Sequence, residues 1–247
     1  MILRQMFSRK WILATLLVTL AAAAFVRLGI WQLDRLRQRR AFNEHYAQAR
    51  ALPALALPTS EDLGAMEFRS VIARGRYDFD DQVALRNQYY ADEYGYDLLT
   101  PLVLADGRAV LVDRGWIPAQ GNAASAAWRA YDRPGDVTIG GVLRLGQSGA
   151  PFGSTSPGSG PGENGLLFWN FIDLERIGAQ MPQGLLPAYI QLDPAAGSDA
   201  PPIPDWAEPD LTEGPHLGYA LQWFGFSVAS VAGYSIHLRR QIRVAKS

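Results

Sequence analysis

The stretch WILATLLVTLAAAAFVRLGIWQL, residues 11–33, decides how this chain is organised. It carries one charge, Arg27, in 23 residues, and about 20 apolar residues are enough for a helix to cross roughly 30 Å of hydrocarbon. Two arginines and a lysine precede it in residues 1–10, and no acidic residue does. Because positive charge beside a span favours the cytoplasmic side, we predict a transmembrane helix at 11–33 with residues 1–10 in the cytoplasm.

A second apolar segment lies near the other end of the chain. No charged residue occurs from Leu217 to Ile236, and four basic residues follow in 239–247. The same rule predicts a second transmembrane helix at 216–238 and a cytoplasmic tail at 239–247. Residues 34–215 are then an extracytoplasmic domain. This topology excludes cytoplasmic metabolism as the function.

A cleaved signal peptide is the alternative interpretation of the first segment. Its basic start and the run Ala21–Ala24 fit that pattern. The apolar stretch continues past the alanines to Leu33, however, and Trp31 is of a type enriched at membrane interfaces, which favours a retained anchor. The ten residues before the segment do not form a Ser-rich amphipathic transit sequence. We therefore expect a bacterial plasma (inner) membrane rather than import into an organelle.

The middle of the chain is acidic and the whole chain lacks cysteine. All 24 acidic residues lie in residues 31–216, against 15 arginines, which gives that segment a net charge of −9. We expect no nucleic acid partner, because phosphate contacts need clustered cations. The absence of cysteine excludes thiolate metal sites, redox CxxC chemistry and cysteine nucleophiles. A domain of this length can form a core without disulfides.

Short apolar runs between Asp- and Gly-containing turns predict an α+β domain with a mainly antiparallel sheet, curled or barrel-like. The predicted strands are 68–77, 83–90, 94–104, 109–117, 137–145, 166–172 and 188–192. Asp106-Gly107 predicts a hairpin turn. The Gly-, Pro- and Ser-rich segment Gly146–Gly165 is expected to be a mobile loop.

Three helical segments are expected beside these strands. The first membrane helix is expected to continue to Leu52, since no Gly or Pro interrupts residues 30–52. An Ala-rich stretch predicts a helix at 119–131. A short helix is expected at 173–181, with Asp173 as its N-cap.

The sequence offers few candidates for catalysis. His45 falls on the predicted helix and His216 at the edge of the second span, so neither is placed for a Ser-His-Asp relay. There is no HExxH, Gly-rich phosphate loop or nucleophile elbow. The acidic residues Asp78, Asp80 and Asp81 could bind a cation, but such clusters are usually solvated turns. We expect no enzymatic activity, with a membrane-tethered extracytoplasmic enzyme as the alternative.

His216 and His237 bracket the second apolar segment. They are 21 positions apart, about 31 Å along a helix, so they lie at opposite interfaces and cannot share one metal. Each is interpreted as an interfacial residue in the simplest case. Haem iron takes axial histidine, which makes His216 a candidate haem ligand.

Two further patterns concern the spans. Small residues spaced by four predict faces where helices approach closely, either the two spans on each other or a span on a partner's helix. These residues are Thr15, Thr19 and Ala23 in the first span and Gly225, Ala229 and Gly233 in the second. Four arginines just beyond the first span, in residues 35–40, are expected to bind lipid headgroup phosphates.

Six stretches, in this order, resemble the surfeit locus protein family, which are membrane assembly factors for haem-copper cytochrome c oxidase. They are LGIWQLDR (28–35), RGRY (74–77), GYDLLTPL (95–102), VLVDRGWIP (110–118), WNFID (169–173) and HLGYALQWF (216–224). Together with the two predicted spans they cover nearly the whole chain. The segment 146–165 departs from the family pattern, which usually has a shorter segment with an Asn-Asp pair.

The resemblance implies a non-enzymatic role in building the oxidase, at the step when haem a enters its catalytic subunit. It implies haem a as a ligand, with His216 at the position proposed to hold the iron and Trp223 placed to stack on the macrocycle. Expected partners are cytochrome c oxidase subunit I, haem a synthase as a further candidate, and membrane lipid. Arg114 and Trp116 match the family's strand motif, and we interpret them as a buried structural arginine and a core tryptophan.

Overall fold

The structure is a computed structural model that describes residues 5–58, 62–147, 158–162, 165–194 and 200–244. Most of the predicted loop 146–165 and the outermost residues of the predicted cytoplasmic ends lie outside these ranges. The chain divides into two compact units. One comprises Met1–His45 and Asp210–Ser247, and the other comprises Tyr46–Pro209.

The described elements follow one another as a long helix, a series of strands with short helices, and a second long helix. In chain order they are α1 (Ile12–Ala51), β1 (Leu55–Ala56), β2 (Ser70–Tyr77), β3 (Val83–Tyr90), β4 (Glu93–Leu104), β5 (Ala109–Pro118), α2 (Ser125–Trp128), β6 (Asp136–Arg144), β7 (Gly158–Gly162), β8 (Gly165–Trp169), α3 (Leu174–Gly178), β9 (Leu185–Leu192) and α4 (His216–Val244). Two 3-10 turns lie at Leu63–Met66 and Arg129–Tyr131.

The helix α1 is unbroken for 40 residues, as the absence of Gly and Pro beyond residue 30 predicted. Within the described residues, it is the one helix long and apolar enough by composition to cross a membrane. Leu13, Leu17 and Leu20 are each more than half exposed on it. Exposed aliphatic side chains of this kind suit a hydrocarbon solvent better than water. The helix is therefore compatible with membrane anchoring.

The helix α4 does not reach the same hydropathy. It has no charged residue from His216 to Leu238, but Gly, Ser, Tyr, Trp and Gln are interspersed among its aliphatic residues. Its 29 residues are long enough to span a bilayer. The second span therefore stays a prediction.

The two long helices pack antiparallel within the first unit, because their contacts run in opposite order along the chain. The Thr15 and Tyr234 hydroxyls are 2.5 Å apart, and Ser227 Oγ donates to the Ala22 carbonyl at 3.1 Å. Of the two predicted small-residue faces, the first contributes Thr15 to this contact. Gly225 and Gly233 of the second face do not: a Cβ added at either position would meet nothing within 4 Å.

Five strands of the second unit close into a barrel. Their order is β2, β6, β9, β5 and β4, and β2 pairs with both β6 and β4. The long strand β4 makes closure possible, since its first half pairs with β3 and its last three residues pair with β2, for example Leu102 with Tyr77. The strands β3, β8 and β7 extend the sheet beyond the barrel. The curled, barrel-like sheet predicted from the sequence is thus confirmed.

Strand pairing is mainly antiparallel, as the sequence predicted. Six of the nine pairings among the described strands are antiparallel, but β1–β2, β3–β8 and β5–β9 are parallel. In the β5–β9 pair, a strand from late in the chain lies beside a strand from the middle of the chain. An alternating pattern shows which face of a strand is buried but not which strand lies beside it, so the parallel pairs were not predicted.

The barrel interior is apolar, and β5 is buried on both faces. Successive residues of a strand point to opposite faces. Val110 and Val112 accordingly fill the barrel with Leu143 and Ile190, whereas Leu111 packs outward in a second cluster built around Trp169 and Ile177.

The predicted helix at 119–131 is wrong in length. The chain forms only α2 and the following 3-10 turn, because Gly121 adopts a φ of +82° outside the helical region. Asn122 then donates from its side chain to the Pro118 carbonyl at 2.8 Å, and Trp128 Nε1 donates to the Asn122 carbonyl at 3.0 Å. These side-chain bonds compete with helical ones.

Three local predictions can be compared with the structure. The hairpin at Asp106-Gly107 is confirmed, with Gly107 at a φ of +85°. Asp173 caps α3 by accepting from the Arg176 amide at 3.2 Å, as predicted. The predicted loop 146–165 is wrong for Gly158–Gly162, since these residues pair with β8 as a strand.

Candidate functional site

His216 is the first residue of α4, and its ring is held by α1. Its Nδ1 lies 2.8 Å from Gln32 Oε1. An amide oxygen is only an acceptor, so Nδ1 donates this hydrogen bond, and in the neutral ring the lone pair is then on Nε2. The ring is half-buried. In the neutral ring, Nε2 is therefore the nitrogen whose lone pair could bind a metal.

Gly214 leaves space beside that nitrogen. It adopts a φ of +68°, a left-handed conformation that side-chain-bearing residues rarely take. A Cβ at this position would lie 3.5 Å from His216 Cδ2 and 3.6 Å from Nε2. The edge of the ring that carries Nε2 therefore faces a position without a side chain.

The segment that leads into His216 is tied to α1 by the arginines expected to bind lipid headgroups. Arg39 donates from Nε to the Thr212 carbonyl at 3.0 Å, and Arg40 makes a two-pronged ion pair with Glu213 at 2.7 and 2.8 Å. Asn43 donates to the Leu211 carbonyl. The hydrogen bonds from Arg40 lower the pKa of the Glu213 carboxyl. These side chains thus fix residues 210–213, and their contact with lipid headgroups stays a prediction.

Trp223 lies on the same face of α4 as His216, two turns further on and about 10 Å away along the axis. Its ring is stacked on Phe25 of α1 at 5.7 Å and an interplanar angle of 23°. Phe226 meets it edge-on at 5.8 Å. A macrocycle could meet only the part of the indole that these two rings leave uncovered.

His237 is placed far from His216 on the same helix. Its ring packs edge-on against Trp11 of the first unit at 5.7 Å. Trp11 precedes α1, whereas Gln32 lies well along that helix, so the structure separates the two histidines as the sequence spacing predicted. It does not bring them together as joint ligands.

In the second unit, the stretches 95–97 and 110–118 interlock at a β-bulge in β5. Asp97 is opposite Trp116 but Leu99 is opposite Asp113, so β5 has one extra residue there. Gly115 takes a φ of +106° at the bulge. Its missing side chain lets the Ile203 carbonyl approach, and Trp116 and Ile203 exchange backbone hydrogen bonds at 2.8 and 2.9 Å.

Arg114 and Trp116 are both buried, in agreement with their structural interpretation. The Trp116 indole lies over Gly95, where a Cβ would collide with its Nε1. The Arg114 guanidinium sits 5.2 Å from the ring centroids of both Tyr77 and Phe79 and donates to the Tyr131 carbonyl. Burial lowers the pKa of Arg114 and raises that of Tyr77 to about 12.

Two aspartates are buried beside this bulge. Asp97 and Asp113 are 9 % and 5 % exposed. Burial raises the pKa of Asp97 to about 9, and the charges of Asp113 and Asp205 contribute further. Burial raises the pKa of Asp113 to about 6, against the hydrogen bonds it receives from the Gly115 amide and Gln191. Near neutral pH, the buried pair therefore keeps a proton that two exposed aspartates would have lost.

Sequence reasoning missed this acid pair and Gln32. The signal for the pair was present, because each aspartate interrupts an apolar strand at a position expected to be buried. Gln32 and His216 are separated by 184 positions, so only their tertiary contact links them.

The acid cluster of Asp78, Asp80 and Asp81 forms a turn. Asp78 accepts from the Asp80 amide at 3.1 Å and from Gln183 Nε2 at 2.6 Å, and Asp80 pairs with Arg129. Among the described residues, no group of three or more His, Cys, Asp or Glu is arranged to hold a metal.

Two surface cavities flank the Asp80–Arg129 ion pair. One has a volume of about 350 Å³ and extends to Gly165 and Gln180. The other, about 820 Å³, is bounded by β2 and the end of β4. Neither cavity is lined by Asp97 or Asp113, so neither gives a small molecule access to the buried acids.

Comparison with known proteins matches this chain to the SURF1 family over residues 19–228. A SURF1-like protein of Monosiga brevicollis is 27% identical over 229 residues, which are 87% of this chain and 83% of that protein. Surfeit locus protein 1 of Takifugu rubripes is 23% identical over 95% of this chain and 99% of its own length. An uncharacterized SURF1-like protein of Mycobacterium bovis is 26% identical over 95% of this chain and 85% of its own length.

The family match begins within α1, includes the whole barrel domain and ends within α4. It therefore includes all of the six stretches on which the resemblance rests, and that resemblance is confirmed. The chain belongs to the SURF1 family.

Proposed function

We propose that this protein is a membrane-anchored assembly factor for haem-copper cytochrome c oxidase, and that His216 holds haem a before it enters the catalytic subunit. Membership of the SURF1 family supports the assembly role. The observation that carries the haem part is the hydrogen bond from His216 Nδ1 to Gln32, because it leaves Nε2 free as an axial ligand. Bound haem would supply the iron that accepts this nitrogen.

The surroundings of His216 fit a haem. The macrocycle is largely apolar and carries anionic carboxylates, so its site needs apolar surface next to a cation. On α1, Leu28 and Trp31 are 37 % and 41 % exposed within about one turn of Gln32. Arg35 lies on the other side of Gln32, 5.5 Å from the Trp31 ring centroid.

Arg35 is suited to meet a carboxylate. Three of the four arginines in residues 35–40 have acidic partners: Arg37 pairs with Asp34, Arg39 with Asp210 and Arg40 with Glu213. Within the described part of the chain, Arg35 has no carboxylate at ion-pair distance and donates to the Gln38 side chain instead.

The proposed setting is the bacterial inner membrane. α1 is the anchor, α4 the second span, both termini are cytoplasmic and the barrel domain is extracytoplasmic. Cytochrome c oxidase subunit I is the proposed recipient of the haem, and haem a synthase is the proposed donor. The acidic barrel domain and the uncovered face of α4 at Gly225 and Gly233 are available to such partners.

The test is an absorption spectrum of the detergent-purified protein from cells that make haem a. We expect a haem spectrum from the unmodified protein and its loss in His216→Ala. His237→Ala is the matched control, since His237 packs on Trp11 far from Gln32, and it should keep the haem. A haem-free protein, or equal haem in both variants, would overturn the ligand assignment.

The buried pair of Asp97 and Asp113 is the feature that would favour an enzyme. One protonated and one ionised carboxyl can serve as acid and base. Such groups must reach a substrate, and both are more than nine-tenths buried, with neither cavity adjoining them. We therefore propose no catalytic role for the pair.

A further inference from the structure

We infer that Gln32 is a positioning residue for His216: its side-chain oxygen fixes the ring and the tautomer that leaves Nε2 free, and Gly214 keeps the approach to Nε2 open. The inference rests on the proposed function for the identity of the ligand alone. The tautomer and the open edge belong to the protein itself and can be measured without any ligand.

The hydrogen bond between the two side chains sets the tautomer. A neutral histidine in water favours the proton on Nε2, which would block that nitrogen as a ligand. The Gln32 oxygen, 2.8 Å from Nδ1, stabilises the opposite tautomer. Because the ring is half-buried, water competes less well for Nδ1 than it would in an exposed histidine.

Contacts on both sides of the pair keep Gln32 and His216 in register. On the side towards the start of α1, Phe25 stacks on Trp223 and Gly29 lies against Phe224. On the side towards the end of α1, Arg40 and Glu213 form the two-pronged ion pair that holds the segment entering α4. A rotation or slide of either helix would break the Gln32 contact, so the ring direction is set by helix packing.

A residue that hydrogen-bonds a histidine ligand has a measurable effect on the affinity for the metal. A second group that hydrogen-bonds the ligand's other nitrogen fixes its orientation, and its removal typically costs 10–100-fold in affinity. We expect that range for the loss of the Gln32 oxygen. A carboxylate in its place would accept the same hydrogen bond and add a negative charge, which raises the basicity of the ring.

The first measurement needs no haem. The chain has three histidines, so ¹⁵N-histidine NMR of the purified full-length protein at pH 8 can assign each ring with His45→Asn and His237→Asn variants. Two-bond couplings then report which nitrogen of His216 is protonated. We expect Nδ1–H in the unmodified protein and Nε2–H in Gln32→Leu.

Gln38→Leu is the matched control for that measurement. Gln38 lies on the same helix and contacts Arg35 rather than His216, so its loss should leave the His216 tautomer unchanged. Nε2–H in the unmodified protein, or an unchanged tautomer in Gln32→Leu, would overturn the inference.

The second measurement uses hemin as the probe, titrated into the purified protein and its variants. We expect Gln32→Leu to weaken hemin binding 10–100-fold with a displaced Soret band. Gln32→Glu should restore binding and lower the reduction potential of the bound iron. Circular dichroism must show the same helix content in both variants, since a variant that lost its helices would test folding alone.

The outcomes separate this inference from the proposed function. If no hemin binds but the tautomer changes as expected, the positioning role of Gln32 stands and the haem function is wrong. If hemin binds equally well to the unmodified protein and to Gln32→Leu, the haem function stands and the positioning role is wrong.

Discussion

Gly29 on α1 lies against the ring of Phe224 on α4, so closely that a Cβ on the glycine would be 2.5 Å from the nearest ring carbon. Gly29 is buried in this contact, whereas a Cβ at Gly225 would meet nothing within 4 Å. The two helices therefore approach each other through Gly29 rather than through the predicted small-residue face of α4.

Gly29→Leu is expected to separate the two helices. The added side chain has no room unless Phe224 moves, and overpacking of this kind typically costs about 1–3 kcal/mol. The helix pair can be monitored by a disulfide between Ala22→Cys and Ser227→Cys, because the Ser227 hydroxyl donates to the Ala22 carbonyl and the chain has no other cysteine. Oxidative cross-linking should slow markedly in Gly29→Leu.

Gly225→Leu is the control for this experiment. It adds the same side chain to a glycine whose surroundings in the described structure are open. Cross-linking should proceed as in the parent protein. Equal slowing by both substitutions would contradict the assignment of Gly29 as the closest approach.

The buried aspartates predict that the protein loses stability as pH rises. An unfolded aspartic acid has a pKa of about 3.9, and burial raises those of Asp113 and Asp97 to about 6 and about 9 in the folded state. The folded state therefore binds more protons than the unfolded state from about pH 4 to about pH 9. The free energy of unfolding is highest at the acidic end of this window and falls as pH rises through it.

Asp97→Asn should remove most of this pH dependence, because the amide stays uncharged at every pH. The full-length variant in detergent should be more stable than the parent at pH 8, with a smaller difference at pH 5, as measured by urea unfolding. Asp136→Asn is the control, since that side chain is 92% exposed. A parent protein that becomes more stable between pH 5 and pH 8 would contradict the burial of a protonated Asp97.

Much of the fold was predictable because its signals are local. The uninterrupted stretch after Ile30 indicated a continuous α1, and the runs bounded by Asp and Gly gave most strands to within a few residues. The closure of the barrel was harder to predict from the sequence. It depends on the last residues of β4 leaving β3 to pair with β2, a contact between distant segments that no alternating pattern encodes.

The candidate site was predictable only in part, for the same reason. His216 stood out as a histidine at the start of an apolar segment. Gln32 did not, because a glutamine in a helical sequence has meaning here only through its partner 184 positions away. Asp97 and Asp113 were visible one at a time, but only the pairing of β4 with β5 brings them close together.

The β3–β4 hairpin contains a turn that the sequence does not favour. Ala91 and Asp92 connect Tyr90 to Glu93 with φ values of +49° and +65°. This pattern is that of a type I′ turn, which prefers Asn or Gly at its first central position. Ala91→Gly should therefore raise the free energy of unfolding by about 1 kcal/mol, since alanine pays roughly that to be left-handed.

Ala105→Gly is the matched control for the turn. Ala105 is also exposed in a hairpin turn, but its φ is not positive. Glycine there adds freedom to the unfolded chain without relieving strain, so it should lower stability by about 0.4–1 kcal/mol. A loss of stability in Ala91→Gly would show that the turn is not left-handed at this position.

The orientation of the chain can be read from single cysteines, because the native sequence has none. Phe7→Cys marks the start of the chain, Ala105→Cys the exposed β4–β5 turn and Arg240→Cys the last turns of α4. Each is treated in intact spheroplasts with a membrane-impermeant maleimide, and again after detergent has opened the membrane. Labelling before detergent identifies the extracytoplasmic side.

Two spans with both termini inside predict that only Ala105→Cys is labelled before detergent. The charges support this pattern. Basic residues flank each helix on the side of the nearer chain terminus, and acidic residues are confined to 31–216. The decisive position is Arg240, because α4 is less apolar than α1. If α4 does not cross the membrane, Arg240→Cys lies on the same side as Ala105→Cys and both are labelled. That result would leave α1 as a single anchor and would contradict the prediction that His216 and His237 lie at opposite membrane interfaces.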